Sequence, residues 1–366
     1  MKNILIINWG RKSAGTIIAY YFIKALKKKY NLWHSISKNS DYYYETNLIN
    51  NKNINIYTYK NKVSFIFNSI FFILFTRRKI LKFIKINKIN IVFFPMFHIW
   101  NSLIIKELIK SNIKVVLCNH DANLHPGENS ILINYLLKYI INKTEHHIVF
   151  SKHVRTQLFK IIGDDNKITN LTLPQLININ YINKNKSLKK DSLSIIFFGR
   201  LLKYKGIDLL LDTIIEIQKK ISINLTLAGA GNILMYQKKI NKIKNIKIFN
   251  KWLNDLEIID LFDKNDLCIL PYIEASQSGI VPVSFMTGTP IIATNTGGLS
   301  EQITNNHNGL LVEKNVNDLS KAILKIYNNN EFYHTLSKGS LNTFEENYSF
   351  TKFSKQINKY VSNIEL

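Results

Sequence analysis

Short apolar runs of strand length alternate with helical stretches along most of the chain. A strand that is apolar along its whole length is typical of a parallel sheet covered by helices on both faces. We therefore predict an α/β chain with parallel sheets. The predicted strands cover residues 4–7, 89–94, 114–118, 148–150, 194–198, 224–228, 266–270 and 290–294. Between two of them, residues 206–220 carry apolar side chains at helical spacing, which predicts an amphipathic covering helix.

The chain has 366 residues, which is more than one hydrophobic core usually supports. Two domains are therefore expected, with a cleft between them. A polar stretch rich in Asn and Lys, residues 178–191, interrupts the alternation and indicates a linker. We predict a first domain over 1–185, a second over 186–349, and a C-terminal helix over 350–366 that can cross back to the first domain.

Composition limits the class of protein and the compartment. An apolar fraction of 46% with 20% charged residues is typical of a folded chain. The net charge of +24 attracts polyanions such as nucleic acid, anionic lipid or a phosphorylated substrate, although AT-rich codon usage would also enrich Lys and Asn. Cys118 and Cys268 are too few for a disulfide framework or a zinc site. The apolar runs are too short for a signal peptide or a membrane span, so we expect a cytoplasmic protein.

The sharpest local motif lies between a predicted strand and the predicted helix over 206–220. Its residues include Gly199, Arg200, Lys205 and Gly206. Ligands of open α/β sheets bind at the carboxyl ends of strands, where glycines allow close approach and these two cations, expected to be exposed, can grip a diphosphate. Ordinary solvated surface charges are the alternative.

A second glycine-containing segment, residues 288–301, has the pattern of turn, strand, glycine loop and helix start. Gly297 and Gly298 precede the helix start, where backbone N–H groups favour an anion. A plain strand-to-helix turn capped by Ser300 is the alternative.

These motifs together resemble the GT-B glycosyltransferases of family 4. The resemblance rests on Gly-Arg-Leu-x-x-x-Lys-Gly, Gly-Thr-Pro-x-x-x-Thr, Gly-Gly-Leu-x-Glu and Asn-Gly-Leu-Leu-Val, in that order over residues 192–330. It implies two Rossmann-like domains with parallel sheets facing a central cleft. It also implies retaining, metal-independent transfer of a hexose-type sugar from a nucleotide sugar, with no cofactor. The implied acceptor is a glycan or lipid-linked molecule of surface polysaccharide or lipopolysaccharide synthesis.

One departure from the family concerns two spaced glutamates before Gly-Thr-Pro. Ala275 and Val283 occupy their positions, and Glu274 lies one residue earlier. The local sequence resembles a subset of the family with an Ala-Ser/Thr-Gln-Ser-Gly loop, whose hydroxyl, amide and backbone groups can replace carboxylate contacts. The resulting donor-binding prediction comprises Gly15, Gly199, Arg200, Lys205, Ser276, Gln277, Ser278, Gly279, Gly297 and Gly298. Arg200 and Lys205 are also predicted to stabilise the leaving diphosphate, and Glu274 to orient the sugar.

The N-terminal half contributes a polar loop after the strand 114–118. By the resemblance, His120 contacts the donor sugar and is a catalytic candidate, while Asp121, His125 and Glu128 are candidates for binding the acceptor. A merely solvated loop is the alternative. The loop after the first strand resembles the one that meets a phosphate in GT-B enzymes, which is the basis for including Gly15. Arg11 in the same loop is equally compatible with a surface turn.

Residues 63–82 join a stretch rich in Phe and Ile to Arg77, Arg78 and Lys79. This combination suits a helix lying on the inner face of an anionic membrane, and a buried core helix is the alternative.

Two other functions remain to be compared with glycosyl transfer. A non-catalytic basic protein that binds nucleic acid or an anionic membrane would account for the charge but not for the order of the motifs. A nucleotide-sugar epimerase on the same fold should carry a cluster of acid and base carboxylates, which the sequence does not show. We therefore expect no nucleic-acid partner.

Overall fold

The computed structural model of the protein describes residues 2–12, 14–123, 130–179, 181, 186–188 and 191–366. The chain forms two compact units: the first contains Met1–Thr172 and Phe350–Leu366, and the second contains Leu173–Ser349. Each unit is built on a parallel sheet with helices, which confirms the predicted α/β class. None of the described helices combines the length and apolar character needed to cross a membrane.

The first unit contains a six-stranded parallel sheet in the order β2-β1-β3-β4-β5-β6. The central strands β1 and β3 are buried almost throughout, as their apolar sequences predict. The sheet comprises β1 (Asn3–Asn8), β2 (Asn31–Ile36), β3 (Ile91–Phe94), β4 (Lys114–Asn119), β5 (His146–Val149) and β6 (Ile168–Asn170). The helices that connect the strands are α1 (Ala14–Leu26), α2 (Tyr43–Ile49), α3 (Lys62–Phe71), α4 (Arg77–Ile86), α5 (Ile105–Lys110), α6 (Ile131–Lys143) and α7 (Lys152–Ile162).

The second unit has a six-stranded parallel sheet in the order β12-β11-β10-β7-β8-β9. Its strands are β7 (Leu193–Phe198), β8 (Ile223–Ala228), β9 (Ile246–Phe249), β10 (Leu267–Leu270), β11 (Ile291–Thr294) and β12 (Gly309–Val312). Its helices are α8 (Ile207–Ile217), α9 (Gln237–Ile240), α10 (Asp255–Lys264), α11 (Ile280–Met286), α12 (Leu299–Gln302), α13 (Val316–Tyr327) and α14 (Asn330–Thr343). The predicted covering helix is α8, which buries Ile207, Leu210, Leu211 and Ile214 and ends at Ile217, earlier than predicted.

The helix Phe350–Ser362, which is α15 in chain order, belongs to the first unit. Its buried residues Phe353, Ile357 and Val361 recur every four positions and form one apolar face. Phe353 packs against Phe22 of α1, with the two ring centroids 5.5 Å apart. The first unit is therefore assembled from both ends of the chain.

The boundary between the units differs from the position predicted near residue 185, because the polar stretch 178–191 lies within the second unit. The backbone N–H of Asn178 donates to Asp255 Oδ2 at 2.8 Å. Lys186 Nζ donates to the carbonyl oxygen of Asn265 at 2.7 Å and to Thr289 Oγ1 at 2.6 Å. Burial lowers the pKa of Lys186 to about 8. The backbone N–H of Asn178 and the side chain of Lys186 thus bind described parts of this stretch to the second unit, although its composition resembles that of a linker.

Candidate active site

The most promising site in the second unit lies where the sheet changes direction. Strand β7 pairs with β8 on one side and with β10 on the other. Because all strands are parallel, the loops that follow β7 and β10 leave from the same edge of the sheet and diverge. Such switch points are where open α/β sheets bind ligands. The first loop contains Arg200 and Lys205, and the second contains Tyr272 and Glu274.

Backbone contacts hold these two loops together. The N–H of Ile273 donates to the carbonyl oxygen of Tyr204 at 2.8 Å. Gly206 has a φ of +70°, and a Cβ added there would lie 1.8 Å from the carbonyl oxygen of Pro271. Glycine is therefore required at this position for both its conformation and its lack of a side chain.

Lys205 lies against the aromatic ring of Tyr272. Its Nζ is 3.7 Å from the centroid of that ring and 5.0 Å from the centroid of Tyr204, which are cation–π distances. Lys205 is half-buried rather than exposed as predicted, because the second loop folds over its side chain. The Tyr272 phenol is fully buried, and this burial raises its pKa. The ammonium group of Lys205 is thus held by a rigid neutral surface.

Arg200 is exposed, as predicted, and its Nη2 donates to Tyr204 Oη at 3.3 Å. The turn that carries it starts at Gly199, which has a φ of +141°. A Cβ on Gly229 would lie 1.9 Å from the carbonyl oxygen of Gly199, so the loop after β8 packs directly on this turn. Arg200 and Lys205 therefore contact the same tyrosine, Tyr204. No role was predicted from the sequence for Tyr204, which lies inside the Gly-Arg-Leu-x-x-x-Lys-Gly motif, or for Tyr272, which lies three residues before the loop 275–279.

The predicted donor-binding loop 276–279 is anchored from behind by Gln302. The N–H of Ser278 donates to Gln302 Oε1 at 2.8 Å, and Gln302 Nε2 donates to the carbonyl oxygen of Ser278 at 3.1 Å. The Ser278 hydroxyl is 3.3 Å from Tyr272 Oη. Gly279 packs on Leu176, since an added Cβ would lie 2.0 Å from Leu176 Cδ1. In this arrangement Ser278 uses its polar groups inside the unit, where they fix the loop.

The glycine loop after β11 lies against the loop after β10. Gly298 donates its N–H to the carbonyl oxygen of Ala275 at 2.9 Å, and an added Cβ would lie 2.0 Å from the carbonyl oxygen of Ser276. Gly297 has a φ of +46°. Thr294 Oγ1 donates to the carbonyl oxygen of Tyr272 at 2.5 Å. The loops after β7, β10 and β11 are thus joined by hydrogen bonds. Within them Ser276 is buried, Gln277 is half-buried and Glu274 is exposed.

His120 occupies the corresponding edge of the sheet in the first unit. It follows β4, and its Nε2 lies 3.1 Å from the carbonyl oxygen of Pro95, which follows β3. Burial lowers its pKa, opposed by the neighbouring Asp121 carboxylate. A neutral imidazole that donates Nε2–H to this carbonyl has Nδ1 as its acceptor nitrogen, which is suited to a sugar hydroxyl.

Gly15 lies at the same edge, at the start of α1. A Cβ there would lie 2.7 Å from Met96 Cβ, so only glycine lets α1 approach the loop after β3 this closely. The structure therefore brings Gly15 and His120 to opposite sides of the loop that contains Pro95 and Met96. Arg11 is engaged elsewhere, because its Nη1 donates to the carbonyl oxygen of Lys60 at 2.8 Å and its guanidinium lies over Tyr59.

His125 and Glu128, the remaining acceptor candidates, lie outside the described residues. Among the residues that are described, no three His, Cys, Asp or Glu side chains form a group that could hold a metal ion. Both cysteines are buried free thiols.

Comparison with known proteins shows which families the chain is similar to. Residues 179–342 match the sequence profile of the family described as glycosyl transferases group 1. The chain is 29% identical over 256 residues to the uncharacterized glycosyltransferase MJ1178 of Methanocaldococcus jannaschii, covering 67% of this chain and 68% of that protein. The chain is therefore similar to group 1 glycosyltransferases over much of its second unit, and to an uncharacterized glycosyltransferase over about two thirds of its length.

Solved structures support the fold. Anabaena HepE in complex with UDP-glucose superposes with a TM-score of 0.78 at 13% identity, covering 100% of each chain. The apo form of the lipopolysaccharide outer core galactosyltransferase WaaB gives a TM-score of 0.69 at 13% identity, also over 100% of each chain. The predicted GT-B class of two parallel-sheet α/β domains is therefore confirmed.

Proposed function

We propose that this protein is a retaining, metal-independent glycosyltransferase that moves a hexose-type sugar from a nucleotide diphosphate sugar to a glycan or lipid-linked acceptor. The observation that carries the proposal is the pair of cations, Arg200 and Lys205, held on Tyr204 and Tyr272 at the switch point of the second sheet. The match to group 1 glycosyltransferases covers this region.

The proposed chemistry of the two cations is electrostatic. When the bond between the sugar and the diphosphate breaks, negative charge develops on the leaving phosphate. A planar guanidinium can bind two phosphate oxygens, while an ammonium group supplies a compact charge. Lys205 is already oriented by the Tyr272 ring, so little reorganisation is needed when charge appears. A fixed positive charge then does what a bound divalent ion does in metal-dependent transferases.

The proposed role of His120 and Glu274 is to orient the donor sugar. His120 presents a neutral ring fixed by Pro95, and Glu274 is an exposed carboxylate on the loop that also contains Tyr272. Asp121 neighbours His120 and is proposed to meet an acceptor hydroxyl. The polysaccharide or lipopolysaccharide acceptor is proposed from the family resemblance, and HepE in complex with UDP-glucose supports the choice of a nucleotide-sugar donor.

The test is a panel of UDP- and GDP-hexoses incubated with the protein in EDTA. We expect one donor to be hydrolysed slowly without acceptor. When an acceptor glycan is added, NMR of the product glycoside should show the anomeric configuration of the donor. UDP or GDP should also raise the melting temperature in a saturable manner. Strict dependence on Mn²⁺ or Mg²⁺, or conversion of a nucleotide sugar into its isomer with the diphosphate intact, would contradict the proposal.

A further inference from the structure

The outward face of α3 and of the turn that follows it is apolar and exposed. Helix α3 has no buried residue, so the core-helix alternative for residues 63–82 is wrong for this part. Exposed fractions of the outward apolar residues range from 48% to 67%. Most of these residues are spaced three or four positions apart, so they form one stripe along the helix. They are Val63, Ile66, Phe67, Ile70, Phe71, Ile73, Leu74 and Phe75.

The inward face of α3 is the more polar of the two. Trp100 Nε1 donates to Ser69 Oγ at 2.9 Å, and Asn68 Nδ2 donates to the carbonyl oxygen of Thr58 at 2.5 Å. Phe72 stacks on Trp100 with ring centroids 4.6 Å apart. Phe65 also packs inward, on Trp100. A helix that turns polar side chains inward and most of its large apolar ones outward differs from an ordinary surface helix, which does the reverse. Packing within the unit does not account for the outward stripe.

A π-helical turn, Phe72–Thr76, joins α3 to α4 without a break. Such turns insert an extra residue into the helix and change the direction of the side chains that follow. Here Phe72 is buried while the three residues after it are all exposed, which broadens the apolar stripe at its end. Phe71 and Phe75 contact each other with ring centroids 5.1 Å apart.

The charge next to this stripe has one sign. From Val63 to Thr76 no residue is charged, and between Lys62 and Ile86 there is no Asp or Glu. Arg78, Lys79, Lys82 and Lys85 are exposed on α4. An apolar stripe continuous with a row of cations is the pattern of a helix that lies in the headgroup region of an anionic bilayer.

We propose that the α3–α4 surface, defined as the exposed side chains of residues 63–85, docks on an anionic lipid bilayer. The phenylalanine and aliphatic side chains enter the interface, and the cations of α4 bind lipid phosphates. A second copy of the chain is the less favourable partner for this surface. In a symmetric dimer the same surface would face itself, and the cations of α4 would approach their own counterparts without a carboxylate on either segment to balance them.

Helix α6 carries a second exposed apolar patch. Its first turns expose Ile131, Leu132 and Tyr135 by 93%, 62% and 66%. Both α3 and α6 pack on the short helix Ile99–Leu103, α3 through the stacking of Phe65 on Trp100. Two apolar helix faces therefore flank one element of the first unit.

The position of this surface is suited to a lipid-linked acceptor, a step that rests on the proposed function. Trp100 contacts both Phe72 of the helix and His98 of the loop after β3. That loop also contains Pro95, the hydrogen-bond partner of His120. A bilayer at α3 would thus lie next to the edge of the first sheet where we propose that the acceptor binds.

The experiment measures sedimentation of the full chain with phosphatidylcholine vesicles, with and without phosphatidylglycerol, at low and high salt. We expect binding to the anionic vesicles alone, lost at high salt. The variant Phe67→Gln/Phe71→Gln should lose binding, since it removes apolar anchors from exposed helical positions. The matched control is Leu234→Gln/Met235→Gln, because these side chains are 76% and 57% exposed in the second unit and should not matter. Replacing Lys79 and Lys82 with Gln should weaken low-salt binding roughly fivefold per cation.

Three outcomes would overturn the proposal: equal binding to neutral vesicles, binding unchanged in the phenylalanine variant, or a solution dimer that this variant dissociates. Circular dichroism checks that the variants fold. If the double variant does not fold, Phe71→Trp with brominated lipid gives an independent readout, and unquenched fluorescence on anionic vesicles contradicts insertion. Nucleotide-induced stabilisation, measured without vesicles, should persist in all variants, so failure of lipid binding is separable from failure of the proposed transferase.

Discussion

At the scale of single residues, Lys203 and Lys205 carry the same charge on the same loop in different surroundings. Lys203 is exposed, whereas Lys205 lies over Tyr272. If Lys205 binds the leaving diphosphate, Lys205→Ala should lower turnover roughly 10²- to 10³-fold, as the loss of one electrostatic donor does elsewhere. Arg200→Ala should behave similarly. The measurement compares the turnover of Lys205→Ala and Arg200→Ala with that of Lys203→Ala under the same conditions.

The exposure of Lys203 makes it the control for Lys205, and the contacts of Arg200 and Lys205 determine how much each variant should change stability. Lys203→Ala should leave turnover nearly unchanged. Exposed Arg200→Ala should change the unfolding free energy by less than about 0.5 kcal/mol, while Lys205→Ala can cost about 1 kcal/mol more, since it removes a cation–π contact. Equal losses of turnover for Lys203→Ala and Lys205→Ala would show that the diphosphate is not bound where we place it.

At the scale of elements, Gly206 and Gly163 offer a matched pair. Both have left-handed φ values, +70° and +74°, but a Cβ at Gly206 would strike Pro271 while one at Gly163 meets nothing within 4 Å. Gly163→Ala should therefore cost only about 1 kcal/mol of conformational strain. Gly206→Ala should cost about 3 kcal/mol or more, because the loops after β7 and β10 must separate.

Thermal unfolding with and without UDP or GDP measures this difference. The Gly206 variant is expected to lose nucleotide stabilisation as well as melting temperature. If the two variants melt alike and both respond to nucleotide, the close packing of these loops has no part in binding.

The sequence predicted the central strands of both sheets but not their edges. Every predicted strand corresponds to an observed one, and the strands it missed are β2, β6, β9 and β12, which are the edge strands. An edge strand is less enclosed by neighbours, so its sequence need not be a continuous apolar run. In β2, for example, buried His34 and Ser35 are satisfied by Asn50, Asn55 and Ile54, which no local pattern reveals.

The candidate site was predictable only in part for a related reason. The local spacing of glycines and cations is enough to predict a phosphate site, so Arg200 and Lys205 were predictable from the sequence. The contacts of Tyr272 with Lys205, and of Gln302 with Ser278, join positions far apart in sequence and depend on the order of the strands. Likewise, the amphipathic pattern of α3 does not say which of its faces is turned inward.

At the scale of the whole molecule, buried histidines should make the fold sensitive to mild acid. Burial lowers the pKa of His98 to about 3 and that of His147 to about 4, from 6.5 in an exposed group. Between pH 6.5 and about 4 the unfolded chain therefore binds protons that the folded chain does not. Stability should fall with decreasing pH by about 1.4 kcal/mol per pH unit for each histidine in this window.

Carboxylates titrate in the same pH window. A variant that removes one histidine is therefore needed to separate its contribution to the pH dependence of stability from theirs. His147 Nε2 donates to the carbonyl oxygen of Thr144 at 3.0 Å and its Nδ1 accepts from Asn119. Glutamine offers a donor and an acceptor without the titration. His147→Gln should therefore show a shallower decline of melting temperature between pH 7 and pH 5, and an unchanged slope would exclude His147 as a source.

The return of α15 to the first unit has a consequence for synthesis. The ribosome adds residues in order, so the whole second unit is synthesised before Phe350. The rate of about 5 to 20 residues per second sets the length of this delay. Until then the aromatic face of α1, with Tyr21 and Phe22, has no α15 to cover it. The first unit therefore begins to be synthesised first and is completed last. A nascent chain stalled inside the second unit would expose the aromatic face of α1, which can promote aggregation.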